Sequence, residues 1–497
     1  MSSNLKKGAL SSVLLVGESI LKKLVGLVST LILARVLLPE DFGIIAIATL
    51  MIGFIQILSE TGSMQYLLKV DTLDEEKTNT SFTINLILKG SIAVALALSA
   101  SLVASFYGDP RLTPIILSLT GIFVLNSLRN PGIAFLRREQ NYVNIVKMSI
   151  FAKIISVGVA ITAALTLQNY WALVLGQLTN SSLMLVGTYI VHPHRPKLTL
   201  KNAKEQWQFS GWIIPQSIFG YARTQLDTFL VSATFGQSEL GSYHTMKYIA
   251  YIPSAHIILP VIQPFLVEQR KTKNAPSYFA KQFNATFLIT MLIALPITCV
   301  MFFHHQTVTA VLLGPNWIKY SALLGVFSLL IPSFVLLNQC TRILIIFGKT
   351  KHIFIYECIA FSIIYSMLFG VGLNDIETFT FIRVAMEALV TLGFLFYVSI
   401  KYTGVKSCIS LFASFFPLSL SCIVAVWTSF IVEGYVDQIF LKLVMISVAC
   451  FATFYISMLL FHVFGFNKLP EWKYLEGIIL RIATPVFARF KRPKKIE

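Results

Sequence analysis

Leu33-Ala34-Arg35-Val36-Leu37-Leu38-Pro39-Glu40-Asp41-Phe42-Gly43 ends one apolar segment, turns, and opens the next. Val231-Ser232-Ala233-Thr234-Phe235-Gly236-Gln237-Ser238-Glu239-Leu240-Gly241 does the same and aligns with it without a gap at an offset of 198 residues, 241 against 43. An even number of apolar segments separates the two, so both halves run in the same sense. That pattern predicts parallel repeats related by an axis along a membrane normal, with a central cavity between two six-helix lobes.

The surrounding composition agrees. The chain has 497 residues, 56% apolar and 13% charged. Soluble domains carry about 25% charged residues, so a water-exposed globule is excluded, as is a disordered chain. A crossing helix needs roughly 20 apolar residues. Segments 11–34, 43–67, 80–106, 112–135, 145–167, 170–191, 208–235, 241–266, 280–303, 317–347, 352–373, 377–400, 409–431 and 438–464 qualify. The expected fold is therefore all-α and polytopic, with 14 transmembrane helices. The lobes divide as 1–206 and 207–407, two further helices occupy 408–464, and 465–497 is a basic tail. In the tail Trp472, Leu475, Ile478, Ile479, Ile482, Val486 and Phe490 recur at helical spacing, which suits a helix on the inner leaflet.

Basic residues set the orientation. With the N-terminus inside, and the first residues of a span counted with the adjoining loop, cytoplasmic loops and tails receive 27 of the 40 Lys and Arg, external loops receive 4 (Arg35, Arg111, Lys319, Lys442), and 9 fall within spans. The asymmetry alternates loop by loop and puts both termini in the cytoplasm. The formal charge of +17 follows from this bias and does not call for nucleic acid.

Fourteen ionisable residues lie within the spans: Glu18, Lys22, Lys23, Glu60, Lys89, Arg129, Lys153, Arg223, Asp227, Lys247, Arg342, Glu357, Arg383 and Glu387. If all faced lipid, the cost would be on the order of 40 kcal/mol, against a fold stability of about 5–15 kcal/mol. They must pair, snorkel or line water. Arg129, Lys153, Arg342 and Glu357 lie near the inner interface, where snorkelling or a helix-end pair accounts for them. Glu18 with Lys22, Arg223 with Asp227, and Arg383 with Glu387 each stand four apart on a helix, where private salt bridges compete with a functional role. Ser81, Asn85 and Lys89 form another stripe, and Gln216 precedes Arg223 by two turns. Nine basic against five acidic groups favour an anionic cargo over a cationic one. Lys22, Lys89, Arg223 and Lys247 are the candidate anion contacts; Glu18, Glu60, Asp227, Arg383 and Glu387 are candidates for ion coupling or charge pairing. Tyr221, Tyr243, Tyr248 and Tyr251 could stack on sugars, although interfacial aromatics are commoner.

Enzymatic motifs are not found. Gly348-Lys349-Thr350 ends like a phosphate-binding loop, but position 343 is Ile instead of the first Gly. HExxH, GxSxG and paired-Cys spacings are missing, and the six cysteines read as small core residues. His304-His305 reads as an isolated external pair. No cofactor or metal is expected.

Leu33 through Gly43, then Phe54-Ile55-Gln56-Ile57-Leu58-Ser59-Glu60-Thr61-Gly62, resembles the opening of Wzx-type polysaccharide flippases. The resemblance continues at Phe135-Leu136-Arg137-Arg138-Glu139, at Arg223-Thr224-Gln225-Leu226-Asp227, and at Leu240-Gly241-Ser242-Tyr243 with Lys247 and Pro253. It covers about residues 1–465 and lies nearest the colanic-acid-exporter-like branch of the multidrug/oligosaccharidyl-lipid/polysaccharide (MOP) superfamily. The chain departs from that branch at Glu60, where Asp is usual, and at Val231-Ser232-Ala233, where an Ile-Gly-Arg-like sequence is usual. The resemblance implies two six-helix lobes, alternating access, and transfer of an undecaprenyl-diphosphate-linked oligosaccharide to the outer leaflet of a bacterial inner membrane. Its implied partners are the lipid-linked oligosaccharide, membrane lipids, and the polymerase and chain-length proteins of surface-polysaccharide assembly. The alternatives are a drug/cation antiporter of the same fold, which calls for an acidic cavity, and a membrane glycan polymerase or ligase, which calls for a large external loop.

Overall fold

A computed structural model describes residues 2–58, 63–70, 72–210, 213–272, 274–371, 375–464, 472–473 and 475–477. Every regular element among them is helical. Ten helical segments are long and apolar enough to cross a bilayer, and they begin at Glu75, Val143, Trp171, Gln237, Pro276, Pro315, Lys351, Ile376, Val405 and Ile439. The chain is an integral membrane protein. It divides into two compact units, Met1–Thr245 and Met246–Glu497.

The first unit contains α1 (Ser2–Val36), α2 (Pro39–Leu58), α3 (Ser63–Lys69), α4 (Glu75–Tyr107), α5 (Leu112–Ser127), α6 (Ile133–Arg138), α7 (Val143–Leu167), α8 (Trp171–Val191), α9 (Ala203–Ser210) and α10 (Ile213–Thr234). It closes with the first turns of α11 (Gln237–Ile252). Helix ends follow local chemistry. The Asp74 carboxylate accepts the Lys77 amide at 2.7 Å and caps α4, whose other end stops at Gly108 in the left-handed region, φ 66°. Within the span expected at 43–67, α2 is described to Leu58 and α3 from Ser63. Residues 59–62, Glu60 among them, lie outside the described residues.

Small side chains let α7 approach its neighbours. Ser149, Ala152, Ser156, Ala160, Ala163 and Ala164 are buried along it. Ala160 leaves so little room over Gly176 of α8 that a Cβ there would lie 2.8 Å from the alanine methyl. Leu33 of α1 and Leu37, in the turn that follows it, complete this core with Ala160, Ala163, Ala164 and Ala172. Helix α10 packs on α2, where the Tyr221 hydroxyl donates to the Leu50 carbonyl at 2.7 Å and the ring covers Gly53. The repeat places a boundary at 206/207 and the packing places one at 245/246; the second follows from this α2–α10 contact.

The second unit contains α12 (Leu259–Lys271), α13 (Pro276–Phe303), α14 (His305–Leu312), α15 (Ser321–Ser328), α16 (Leu330–Ile346), α17 (Thr350–Val371), α18 (Ile376–Thr403), α19 (Val405–Ala413), α20 (Phe415–Glu433) and α21 (Ile439–Val463). Pro253 cannot donate to the helical ladder, and a π-helical turn, Pro253–Ile258, forms there. Its Ser254 hydroxyl donates to the Ile331 carbonyl at 3.1 Å. The expected isolation of His304 does not hold. The residue is buried, with Nδ1 3.0 Å from Glu433 Oε2 and Nε2 2.8 Å from Ser429 Oγ. All six cysteines are free thiols. The tail expected as an amphipathic helix lies outside the described residues except at 472–473 and 475–477, where Trp472 and Leu475 are buried.

Candidate functional site

Four cationic side chains meet in the first unit. Lys22 and Lys23 from α1, Arg129 from the turn after α5, and Lys153 from α7 line a pocket of about 400 Å³ with Asn180 and Met184 of α8. Ser149, one turn before Lys153 on the same face of α7, hydrogen-bonds to Glu18 of α1, so residue 153 faces α1 as well. Its ammonium passes 3.8 Å from the position of a Cβ on Gly26, one turn beyond Lys22. A Cβ there makes an ordinary contact, and only a side chain extending beyond it would push Lys153 aside.

Little negative charge offsets the cluster. Among the described residues, the one ion pair made by any of the four joins Lys22 to Glu18 at 3.3 Å. Glu18 also accepts the Ser149 hydroxyl of α7, which fixes that carboxylate against the helix wall. The Lys22 side chain stays 40% exposed despite the pair. Arg129 Nε is buried and has no hydrogen-bond partner among the described residues. An unmatched buried guanidinium nitrogen beside three ammonium groups is costly in a low-dielectric setting and is relieved by water or a bound anion. The lysines supply point charges and Arg129 a planar donor fork, a combination suited to phosphate oxygens.

The structure distributes the sequence-derived residues unevenly. Lys22 enters the pocket. Arg129 and Lys153, read from the sequence as snorkelling, enter it too, and Lys23 joins them. Lys89 is half-buried on α4 and does not line the pocket. The Arg223 side chain lies outside the described residues, and Lys247 belongs to the second unit. Asp227 is fully buried, accepting the Tyr243 hydroxyl at 3.0 Å and the Thr228 amide at 2.7 Å. Arg383 and Glu387 form a salt bridge of 2.8 Å on α18, both side chains largely buried. Of the four tyrosines, Tyr221 and Tyr243 use their hydroxyls inside the fold, and Tyr251 packs edge-on against Phe334 at 4.5 Å. Sequence reasoning missed Arg129 and Lys153 because depth was judged one helix at a time. The i, i+4 spacing of Ser149 and Lys153, with Ser149 among the small residues of α7, was the available signal.

Polar groups tie down the loop beside Arg129. Asn130 Nδ2 donates to the carbonyls of His192 and His194 at 2.9 and 2.8 Å, and its Oδ1 accepts the Gly132 amide at 2.9 Å. His194 Nε2 lies 3.0 Å from Asn79 Oδ1, which also accepts the Lys197 amide. Burial holds His192 and His194 below the ordinary histidine pKa.

The chain resembles known proteins in sequence and in fold. A family model described as "Polysaccharide biosynthesis protein" matches residues 32–322. Lipopolysaccharide biosynthesis protein WzxC of Escherichia coli (strain K12) is 24% identical over 259 residues, 50% of either chain. Succinoglycan biosynthesis transport protein ExoT of Rhizobium meliloti (strain 1021) is 22% identical over 326 residues, 63% of this chain and 65% of the relative. The chain thus spans between half and just under two-thirds of the length of these relatives. Among solved structures, lipid II flippase MurJ in an inward closed conformation superposes with a TM-score of 0.73 at 13% identity, over 91% of this chain and 99% of that one. An inward-facing multidrug resistance MATE family transporter of the MOP superfamily gives 0.58 at 11% identity, over 78% and 95%. The helical fold is of that kind.

Proposed function

Since the chain belongs to the polysaccharide biosynthesis protein family, we propose that it carries a lipid-linked oligosaccharide across a membrane, recognising the diphosphate through its cationic pocket. The cargo in this reading is an undecaprenyl-diphosphate-linked repeat unit, moved from the inner to the outer leaflet of a bacterial inner membrane for surface polysaccharide. Fourteen helices cross the bilayer: the ten that meet the length and hydropathy test, together with α1, α2, α5 and α10. Both termini are cytoplasmic, and the two six-helix repeats alternate access.

One observation carries the proposal. Lys22, Lys23, Arg129 and Lys153 converge with a single carboxylate among the described residues to offset them. A pocket of about 400 Å³ admits a diphosphate but not an entire oligosaccharide, so the sugars extend beyond it while the lipid tail stays in the bilayer. Lys89, Arg223 and Lys247 contact the anion later on its path, and Glu18, Glu60, Asp227, Arg383 and Glu387 hold charge when the path is empty. Outward movement of negative charge gains about 2.3 kcal/mol per charge per 100 mV of inside-negative potential. The MATE-like fold also suits drug export, but a net positive pocket repels cationic drugs.

The test is a deletion strain complemented with Lys22→Gln, Arg129→Gln and Lys153→Gln variants. Each variant at wild-type abundance is expected to leave lipid-linked intermediates on the inner leaflet. Normal surface polysaccharide from all three would overturn the proposal.

A further inference from the structure

The two copies of the sequence repeat touch each other. Helices α2 and α11 begin at Pro39 and Gln237, which occupy equivalent positions of the repeat, and Gly43 and Gly241 stand four residues later in each. A Cβ on Gly43 would fall far inside contact distance of the Gln237 carbonyl oxygen. A Cβ on Gly241 would meet the Pro39 carbonyl oxygen in the same way and lie 2.6 Å from the Gly43 nitrogen. Each glycine therefore sits on the first residue of the opposite helix, the reciprocal pairing that a local two-fold axis generates. Backbone meets backbone, and no other residue type fits either position.

A polar strap crosses this seam. Arg111, in the turn after α4, donates from Nη2 to Glu40 Oε1 at 2.6 Å and to Gln237 Oε1 at 3.1 Å. The same nitrogen lies 2.9 Å from Asp109 Oδ2, and Nε lies 3.1 Å from both Asp109 oxygens. Gln237 Nε2 donates back to Asp109 Oδ2 at 2.6 Å. Glu40 opens α2 and Gln237 opens α11, so one guanidinium holds both helix ends. Burial raises the Asp109 pKa, but the Arg111 and Gln237 hydrogen bonds outweigh it and keep the carboxyl below the usual range. Next to Gly241 in the seam, Ser242 is fully buried and its hydroxyl has no partner among the described residues.

We propose that the Gly43–Gly241 seam is a closed gate at the external end of the transport path and that Arg111 is its latch. The proposal rests on the reading of the chain as a transporter but not on the identity of the cargo. Backbone contact makes the closed state tight, while the Arg111–Glu40 ion pair of the strap is solvent-accessible on both sides and can part without unfolding a helix, leaving Arg111 on the buried Asp109.

Full-length Ser242→Cys protein in lipid vesicles tests this, labelled from either side with a membrane-impermeant maleimide. Modification is read at position 242 by peptide mass spectrometry. With Arg111 present, the thiol introduced at position 242 is expected to react slowly. Adding Arg111→Ala is expected to speed labelling about tenfold, from the Arg111 side alone, as loss of roughly 1.4 kcal/mol of charged hydrogen bonding implies. Arg111→Lys should restore part of the protection, which loss of folding would not produce. Equal labelling with and without Arg111, or equal labelling from both sides, would overturn the gate. No cargo is present, so this result is independent of whether the oligosaccharide reading holds.

Discussion

Glu18 of α1 is held by Ser149 of α7 while it pairs with Lys22 one turn away, so the carboxylate is both a structural pin between helices and a brake on the pocket's charge. Replacing Glu18 with Gln keeps the hydrogen bond from Ser149 and removes the negative charge. Inorganic pyrophosphate is expected to bind detergent-solubilised Glu18→Gln protein about fivefold more tightly than wild type, a gain of roughly 1 kcal/mol. Isothermal titration at low salt measures it, and the difference should shrink at high salt as screening grows. Unchanged affinity would mean that Glu18 does not temper the site.

Lys153 lies across Gly26 from the same pocket. Gly26→Leu should displace the ammonium without touching any charge. Pyrophosphate affinity is expected to fall about as far as in Lys153→Gln, by roughly three- to tenfold. Affinity equal to wild type would separate Lys153 from anion binding.

The Asn130 knot anchors the stretch that carries Arg129. Asn130→Ala removes one donor from each of the His192 and His194 carbonyls, which keep the bonds from Arg195 Nη1, and takes away the acceptor of the buried Gly132 amide. It is expected to cost about 1–3 kcal/mol. Thermal unfolding followed by intrinsic fluorescence should show the lower midpoint.

The same loop gives a pH dependence with a definite sign. His192 and His194 have folded pKa values below the ordinary histidine value, so unfolding takes up protons. Their contribution is intact above about pH 6.5 and declines as pH falls from there through the lower folded values. His192 Nδ1 accepts the His194 amide at 3.2 Å, a bond that protonation removes. The unfolding midpoint is expected to drop between about pH 7.5 and 5.5, and to drop less in His192→Asn.

The fold was largely legible because lipid imposes a simple rule on sequence: long apolar runs, broken by polar turns, with basic residues biased to one side. The repeat at Leu33–Gly43 and Val231–Gly241 was readable as an alignment, but nothing in one dimension says that Gly43 rests on Gln237 and Gly241 on Pro39. The site was half legible. Depth in α1 singles out Lys22, whereas depth alone puts Arg129 and Lys153 near the inner interface; helix packing brings them to the same pocket. His304 was misread for a related reason, since its partner Glu433 is 129 residues away and joins it only through folding. Local spacing reports one helix face; convergence of faces from α1, α7 and α8 is a tertiary property.

The most direct test of the central claim is flipping by purified protein in vesicles that carry a fluorescent diphosphate-linked oligosaccharide lipid, with outer-leaflet material counted by an impermeant quencher. Wild-type protein should equilibrate or concentrate the lipid across the bilayer, and Lys22→Gln/Lys153→Gln protein, folded and incorporated to the same level, should leave it at the protein-free rate. Equal flipping by wild type and the double variant would contradict the assignment of the diphosphate to this pocket.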